Sequence, residues 1–114
     1  MTQTSTGAEI IAAKLKQAGC KRAFGIPGGE VLAILGGLDD VGIDFHLAKH
    51  ENAAGFMAEG AWHGEDSGSR APGILVATVG PGVSNAVNVI ANAMQDRVPL
   101  IFLTGCVDHA VAET

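Results

Sequence analysis

Residues 45–60, FHLAKHENAAGFMAEG, change from a strand pattern to a helix pattern at one carboxylate, Glu51. Phe45 and Leu47 alternate with polar neighbours, which is the period of a strand. From Ala53 onward, small and apolar residues recur at helical spacing. Glu51 is therefore predicted where a strand ends and a helix begins, the place where open α/β sheets bind ligands. The alternative stays open that Glu51 only complements the helix dipole, since acidic residues are common in first helical turns.

Strand and helix patterns alternate along the rest of the chain. Helices are predicted up to Gly19, over 30–38 and over 84–94, and strands over 22–26, 73–78 and 99–104. The run GILVAT at 73–78 is almost wholly apolar, as expected of a strand buried on both faces. Alternating strands and helices with short connections predict an α/β fold, a parallel sheet with helices on both faces. The sheet is expected to be incomplete, because the last strand would leave an apolar edge.

Composition excludes several classes of function. The chain has 114 residues, a net charge of −5 and no cluster of Lys and Arg, which argues against a nucleic-acid partner. It has no unbroken apolar run of membrane-spanning length and no signal-peptide pattern, so no membrane partner is expected. Its two cysteines form no CxxC, which favours a reducing, cytoplasmic location. Because 47% of residues are hydrophobic, part of the surface is expected to be covered by a partner.

Three predicted strand-to-helix loops carry glycine, proline or polar residues: IPGG at 26–29, AKHEN at 48–52 and TVGPGVSN at 78–85. Adjacent parallel strands lie about 4.8 Å apart, so these loops can line one crevice. GPGVSN is not a dinucleotide fingerprint, because Asn85 replaces its third glycine, and IPGG fails at Pro27. The glycines at 80 and 82 form either a plain helix cap or a backbone that a flat ligand ring can approach.

Other candidate groups are weaker. The histidines at 46, 50, 63 and 109 lack metal-ligand spacing, so no metal site is predicted. His50, next to Glu51, is predicted to be structural. Cys106 with His109 is a weak candidate for a nucleophilic pair.

Two helices carry informative stripes. In helix 84–94 an apolar stripe is predicted to face the core, namely Val83, Val87, Ile90, Ala91 and Met94. A polar stripe lies beside it, namely Asn85, Asn88 and Asn92. The helix after Glu51 carries apolar residues flanked by small ones, which favours close packing against another helix at a subunit interface: Ala54, Met57, Ala58 and Ala61, with Gly55 and Gly60.

Three segments together resemble a known domain: AFGIPGGEVLAIL, HLAKHENAAGFMAEGAW and GILVATVGPGVSNAVNVIANAMQDRVPLIFLTG. From about residue 7 to 105 they resemble the N-terminal, pyrimidine-binding (PYR) domain of thiamine diphosphate-dependent enzymes. Within these enzymes the resemblance is to the acetohydroxyacid synthase-like group, with glyoxylate carboligase, oxalyl-CoA decarboxylase and sulfoacetaldehyde acetyltransferase. The resemblance implies a flavodoxin-like, thiamine diphosphate-binding fold, of which residues 1–114 would be the N-terminal part.

The resemblance also implies a function. A Glu at the position of Glu51 hydrogen-bonds N1′ of the cofactor's aminopyrimidine and activates the cofactor for carboligase, decarboxylase or lyase chemistry on 2-oxo acids or aldehydes. Matching positions assign the cofactor cleft to Pro27, Gly28, Glu51, Thr78, Pro81 and Asn85. Mg²⁺ would be held by a region not in this chain, and a requirement for FAD, as in some relatives, stays undetermined.

The chain departs from many relatives at Val79, where they have Ser or Thr, and at Cys106, where they have Gln. It also lacks the family's diphosphate-binding domain, so we expect a fragment or one part of a split enzyme. Its expected partners are that domain, in the same or a second subunit, and further copies in a dimer or tetramer. Residues 1–114 alone are not expected to form an active enzyme or a stable monomer. The alternative is a non-catalytic interaction or regulatory module that retains the fold.

Overall fold

The computed structural model describes residues 4–106, which form four helices and four strands in alternation. The helices are α1 (Gly7–Gln17), α2 (Leu32–Asp40), α3 (Glu51–His63) and α4 (Pro81–Asp96). The strands are β1 (Arg22–Gly25), β2 (Asp44–Leu47), β3 (Gly73–Ala77) and β4 (Leu100–Thr104). A single 3-10 turn, Gly29–Val31, leads into α2. None of the helices in this part of the chain is long and apolar enough to cross a membrane.

The four strands form one parallel sheet in the order β2-β1-β3-β4. Every residue of β3 is buried, as the apolar run at 73–78 predicts. The α/β fold with a parallel sheet is therefore confirmed. The edge position of β4 also agrees with prediction, and its apolar side chains are only half-buried there.

Side chains that alternate along β1 and β3 divide the core between the two faces of the sheet. Ala23, Ile74 and Val76 pack with α1 and α2 in one cluster. Phe24 and Leu75 pack with α3 and α4 in the other. Successive residues of a strand point to opposite faces, so each central strand contributes to both clusters. Helices consequently cover both faces of the sheet, and the site described below lies where α3 and α4 begin.

Helix α3 packs directly against α4 through a glycine. A Cβ atom placed on Gly55 would overlap the side chain of Val89 on α4. Ala54 and Ala58, one turn apart on α3, are also fully buried. The sequence predicted a subunit interface for these small residues, whereas Gly55, Ala54 and Ala58 pack against α4 of the same chain.

The buried face of α4 differs from the predicted one. The residues that α4 buries are Gly82, Ala86, Val89 and Ala93. Val87 and Met94, from the predicted core stripe, are 59% and 84% exposed. The prediction was wrong for these two side chains, although Ile90 packs against the core. Val89 takes the buried position over Gly55, and polar groups of α3 bind Asn85 and Asn92 beside it.

We predict that this close contact makes Gly55 intolerant of even one methyl group. Gly55→Ala should lower the free energy of unfolding by roughly 1–3 kcal/mol, the usual cost of overpacking a core. Gly60→Ala, on the same helix, meets no atom within 4 Å. It should be neutral or stabilising by up to about 1 kcal/mol, because alanine has the higher helix propensity. Urea denaturation of both variants measures the difference, and equal effects would contradict the packing described here.

Candidate functional site

The three predicted loops meet at one edge of the sheet, where the carboxyl ends of the strands lie. Strand β1 pairs with both β2 and β3, so the loops follow three neighbouring strands. The loop after β1 touches the loop after β3, since a Cβ atom on Gly28 would overlap the methyl group of Thr78. The structure therefore brings Gly28, Thr78, Glu51 and Asn85 into one neighbourhood.

Glu51 is the first residue of α3, as predicted from the change of pattern. Its side chain is nearly buried, at 7% exposure, although carboxylates are rarely buried without a partner. Asn85 Nδ2 on α4 donates a hydrogen bond of 3.1 Å to Glu51 Oε1. A neutral amide thus holds this carboxylate at the junction between the two helices.

The second carboxylate oxygen, Oε2, faces a position without a side chain. A Cβ atom on Gly82 would lie 3.4 Å from Glu51 Oε2 and 2.9 Å from the hydroxyl of Thr78. Among residues 4–106, Oε2 accepts no hydrogen bond from the protein, and no fully buried side-chain oxygen lacks a partner. Within residues 4–106 this oxygen therefore keeps its hydrogen-bonding capacity, and glycine at position 82 places no side chain against it.

The two predicted prolines lie on the loops around this group. Pro27 precedes Gly28 and is exposed, and Pro81 is the exposed first residue of α4. Neither takes part in the side-chain hydrogen bonds found within residues 4–106. Gly80, just before α4, has a φ of +73°, a conformation that glycine adopts without strain.

Glu30 is a site residue that the sequence reasoning missed. Its Oε1 accepts a hydrogen bond of 2.7 Å from the backbone N–H of Val79, in the loop after β3. This bond lowers the pKa of Glu30 below its ordinary 4.5, with a smaller contribution from the backbone N–H of Glu30 itself. The side chain also packs against Gly105 after β4, where a Cβ atom would overlap it. The feature of the sequence that could have pointed to Glu30 is its position directly after the glycines at 28 and 29.

The weaker candidates have ordinary roles or lie outside the description. His50 Nδ1 accepts a hydrogen bond of 3.0 Å from the N–H of Asn52 and so caps α3. The structural interpretation of His50 thus agrees with its contacts. Cys106 is exposed after β4, whereas His109 lies outside the described residues. No group of three His, Cys, Asp or Glu side chains that could hold a metal ion occurs within residues 4–106.

The arrangement brings hydrogen-bonding oxygens of two loops together. Glycine at 28 leaves room for the methyl group of Thr78, and glycine at 82 leaves room for the Thr78 hydroxyl and for Glu51 Oε2. Glu51 offers a carboxylate oxygen that can accept a hydrogen bond from a ring nitrogen or hold a proton next to it. Thr78 adds a hydroxyl beside it, which can donate or accept.

We predict that the bond between Glu30 and Val79 makes stability depend on pH in the acid range. The pKa of Glu30 is lowered on folding, so the bond stabilises above the ordinary value of 4.5 and is lost as the pH falls through the folded value. Glu30→Gln keeps an acceptor but cannot titrate. The stability advantage of the wild type over this variant should therefore shrink between pH 7 and pH 3, measured by urea denaturation. An advantage that is constant over this range would contradict the prediction.

Known proteins match nearly the whole chain. The family model described as "Thiamine pyrophosphate enzyme, N-terminal TPP binding domain" matches residues 5–113. The chain is 42% identical over 101 residues to the acetolactate synthase isozyme 3 large subunit of Escherichia coli, which covers 88% of this chain and 17% of that protein. It is 40% identical over 110 residues to the isozyme 1 large subunit of the same organism, which covers 96% of this chain and 19% of that protein.

A further relative is the acetolactate synthase large subunit of Lactococcus lactis, 38% identical over 106 residues, or 92% of this chain and 18% of that protein. The chain thus spans less than a fifth of the length of these relatives. The family match, by contrast, covers all but a few residues of the chain, and it confirms the family that the sequence resembles. The chain belongs to the thiamine pyrophosphate enzyme family and corresponds to its N-terminal TPP-binding domain.

Proposed function

We propose that residues 1–114 are the N-terminal part of a pyrimidine-binding domain and supply half of a thiamine diphosphate site. The enzyme would be a carboligase, decarboxylase or lyase acting on 2-oxo acids or aldehydes. A carboligase of the acetolactate synthase type is favoured, because the relatives named above are acetolactate synthases. The observation that carries the proposal is the buried carboxylate of Glu51, with one oxygen held by Asn85 and the other left uncovered by Gly82.

In this proposal each site residue has a separate task. Bound thiamine diphosphate supplies a carbon nucleophile and an electron sink. Glu51 holds a proton at N1′ of the aminopyrimidine, and Asn85 fixes the orientation of the carboxylate. Gly28 and Gly82 leave the space that the Thr78 side chain occupies. Thr78 offers its hydroxyl beside Glu51, while Pro27 and Pro81 border the cleft.

Other parts of the complete enzyme would bind the diphosphate. We propose that Mg²⁺ and the diphosphate are held by a diphosphate-binding domain outside this chain, in the same or a second subunit. The matched region is 17% and 19% of the two relatives, which leaves room in them for such a domain.

Exposed apolar side chains support a homo-oligomer. Phe56 and Met57 on α3 are 43% and 45% exposed, and Val87 and Met94 on α4 are exposed to a greater extent. Large apolar side chains exposed on two adjacent helices favour a surface that a partner covers. Because both helices begin at the candidate site, a second subunit on this surface would lie close to Glu51.

The test is the substitution Glu51→Gln in the complete protein that the gene encodes. Glutamine keeps the shape and the contact with Asn85 but cannot hold and release a proton, a task worth about 10²–10⁴ in rate. We expect exchange of the C2 proton of bound thiamine diphosphate, followed by NMR, to slow at least about a hundredfold.

Glu65→Gln is the matched control. Glu65 precedes β3 and forms a salt bridge with Lys21, which precedes β1, so the pair lies away from the three loops of the candidate site. This control should leave the exchange rate unchanged, and circular dichroism should show that both variants are folded. Normal exchange in the Glu51→Gln variant would refute the role of Glu51. A protein that binds no thiamine diphosphate at all would favour the regulatory module instead.

A further inference from the structure

Helices α3 and α4 are joined by a ladder of three hydrogen-bonded rungs, of which the contact at Glu51 is only the first. In the second rung, Asn52 Oδ1 accepts a hydrogen bond of 2.8 Å from the backbone N–H of Val89. In the third, Asn92 Nδ2 lies 3.1 and 3.2 Å from the two carboxylate oxygens of Glu59. In every rung the acceptor is on α3 and the donor is on α4.

The first and third rungs have nearly the same spacing on the two helices. Glu51 and Glu59 are eight residues apart on α3, and Asn85 and Asn92 are seven apart on α4. Seven or eight residues make about two turns, so both pairs lie on one face and span roughly 10–12 Å of helix. Sliding one helix along the other by one turn, about 5.4 Å, would separate the partners in every rung.

The apolar contact between the helices fixes the register at one point, where Val89 of α4 lies over Gly55 of α3. The rest of this contact is made by small residues, with Ala54 and Ala58 of α3 against Ala86 of α4. Small side chains interdigitate little, so these residues add little to the difference between registers. Directional hydrogen bonds distinguish these registers sharply.

Burying the Glu59 carboxylate at this position costs free energy, which a role in packing alone does not explain. Its side chain is 7% exposed, and its hydrogen-bond partner among the described side chains is the neutral amide of Asn92. An apolar pair of similar volume would stabilise the contact as well or better. A role in positioning accounts for a carboxylate there.

We propose that Glu59, Asn92 and Asn52 are positioning residues that hold the register of α3 on α4 and thereby place the Glu51 carboxylate against Asn85. The inference rests on the proposed function for its effect on activity, but not for its effect on the helices. Glu51 begins α3 and Asn85 lies in the second turn of α4, so a change of register at Asn52 or Glu59 would separate them.

The decisive variant replaces the third rung by an apolar pair, Glu59→Met with Asn92→Leu, in the protein produced from its own gene. We expect its thermal midpoint to be equal to or above that of the wild type, because no buried polar group is left unpaired. We expect C2 proton exchange of bound thiamine diphosphate to fall about tenfold, because Glu51 is no longer held in place. Glu59→Gln alone keeps an acceptor for Asn92 and should restore exchange to within about twofold of the wild type.

If the double replacement does not fold, a second variant tests the same proposal. Asn52→Ala removes the middle rung, while the N–H of Val89 can still bond to the carbonyl of Asn85 within α4. It should slow exchange to a similar extent.

A cofactor-free measurement separates this inference from the proposed function. In a double-mutant cycle on urea unfolding, Asn85→Ala is combined with Asn52→Ala or with the apolar pair. Each variant changes the unfolding equilibrium constant by some factor. If the rungs share one register, the factor for the combined variant should differ by at least about threefold from the product of the factors for the separate variants. Additive effects together with wild-type exchange in the apolar pair would overturn the inference. Coupling in the cycle with normal exchange in Glu51→Gln would leave the ladder intact and refute only the proposed function.

Discussion

Helix α3 lies on α4 at a distance that requires glycine at position 55, and the candidate site depends on this contact. A methyl group there would overlap Val89 and push the helices apart. Glu51 and Asn85 belong to different helices, so their hydrogen bond exists only while the two axes stay close. A residue in the middle of a helix thus controls the geometry at its end, because a helix transmits displacement as a nearly rigid rod.

The polar groups between these helices are tolerated because they are paired. Burying a carboxylate or amide without a partner costs free energy, and no fully buried side-chain nitrogen or oxygen within residues 4–106 lacks one. Acceptors on one helix face donors on the other, so each desolvated group meets its complement. The loops are joined in the same way, since the Glu30 carboxylate receives the N–H of Val79. Glu51 differs in that only one of its two oxygens takes part in a hydrogen bond within residues 4–106.

The asparagines of α4 show why sequence patterns predicted the helix but not its orientation. Apolar residues at helical spacing indicate that a helix has two unlike faces. They do not reveal which neighbour packs on it, and hydropathy ranks Val87 and Met94 above alanine or asparagine. The neighbour here is a glycine-containing helix with acceptors on its surface. It selects the face that bears Ala86 and Val89 and leaves Val87 and Met94 outside.

The amino-acid sequence by itself determined the alternation of strands and helices, the parallel sheet and the place of Glu51 at a strand-to-helix junction. These features follow from side-chain periods of 2 and 3.6 residues and from glycine and proline breaks, all of which act between neighbours in the chain. Only the tertiary structure decided which face of α4 is buried, which oxygen of Glu51 is free and what Glu30 binds. Those outcomes depend on distances between atoms of segments far apart in sequence, as with Glu30 and Val79, and no local pattern specifies such distances.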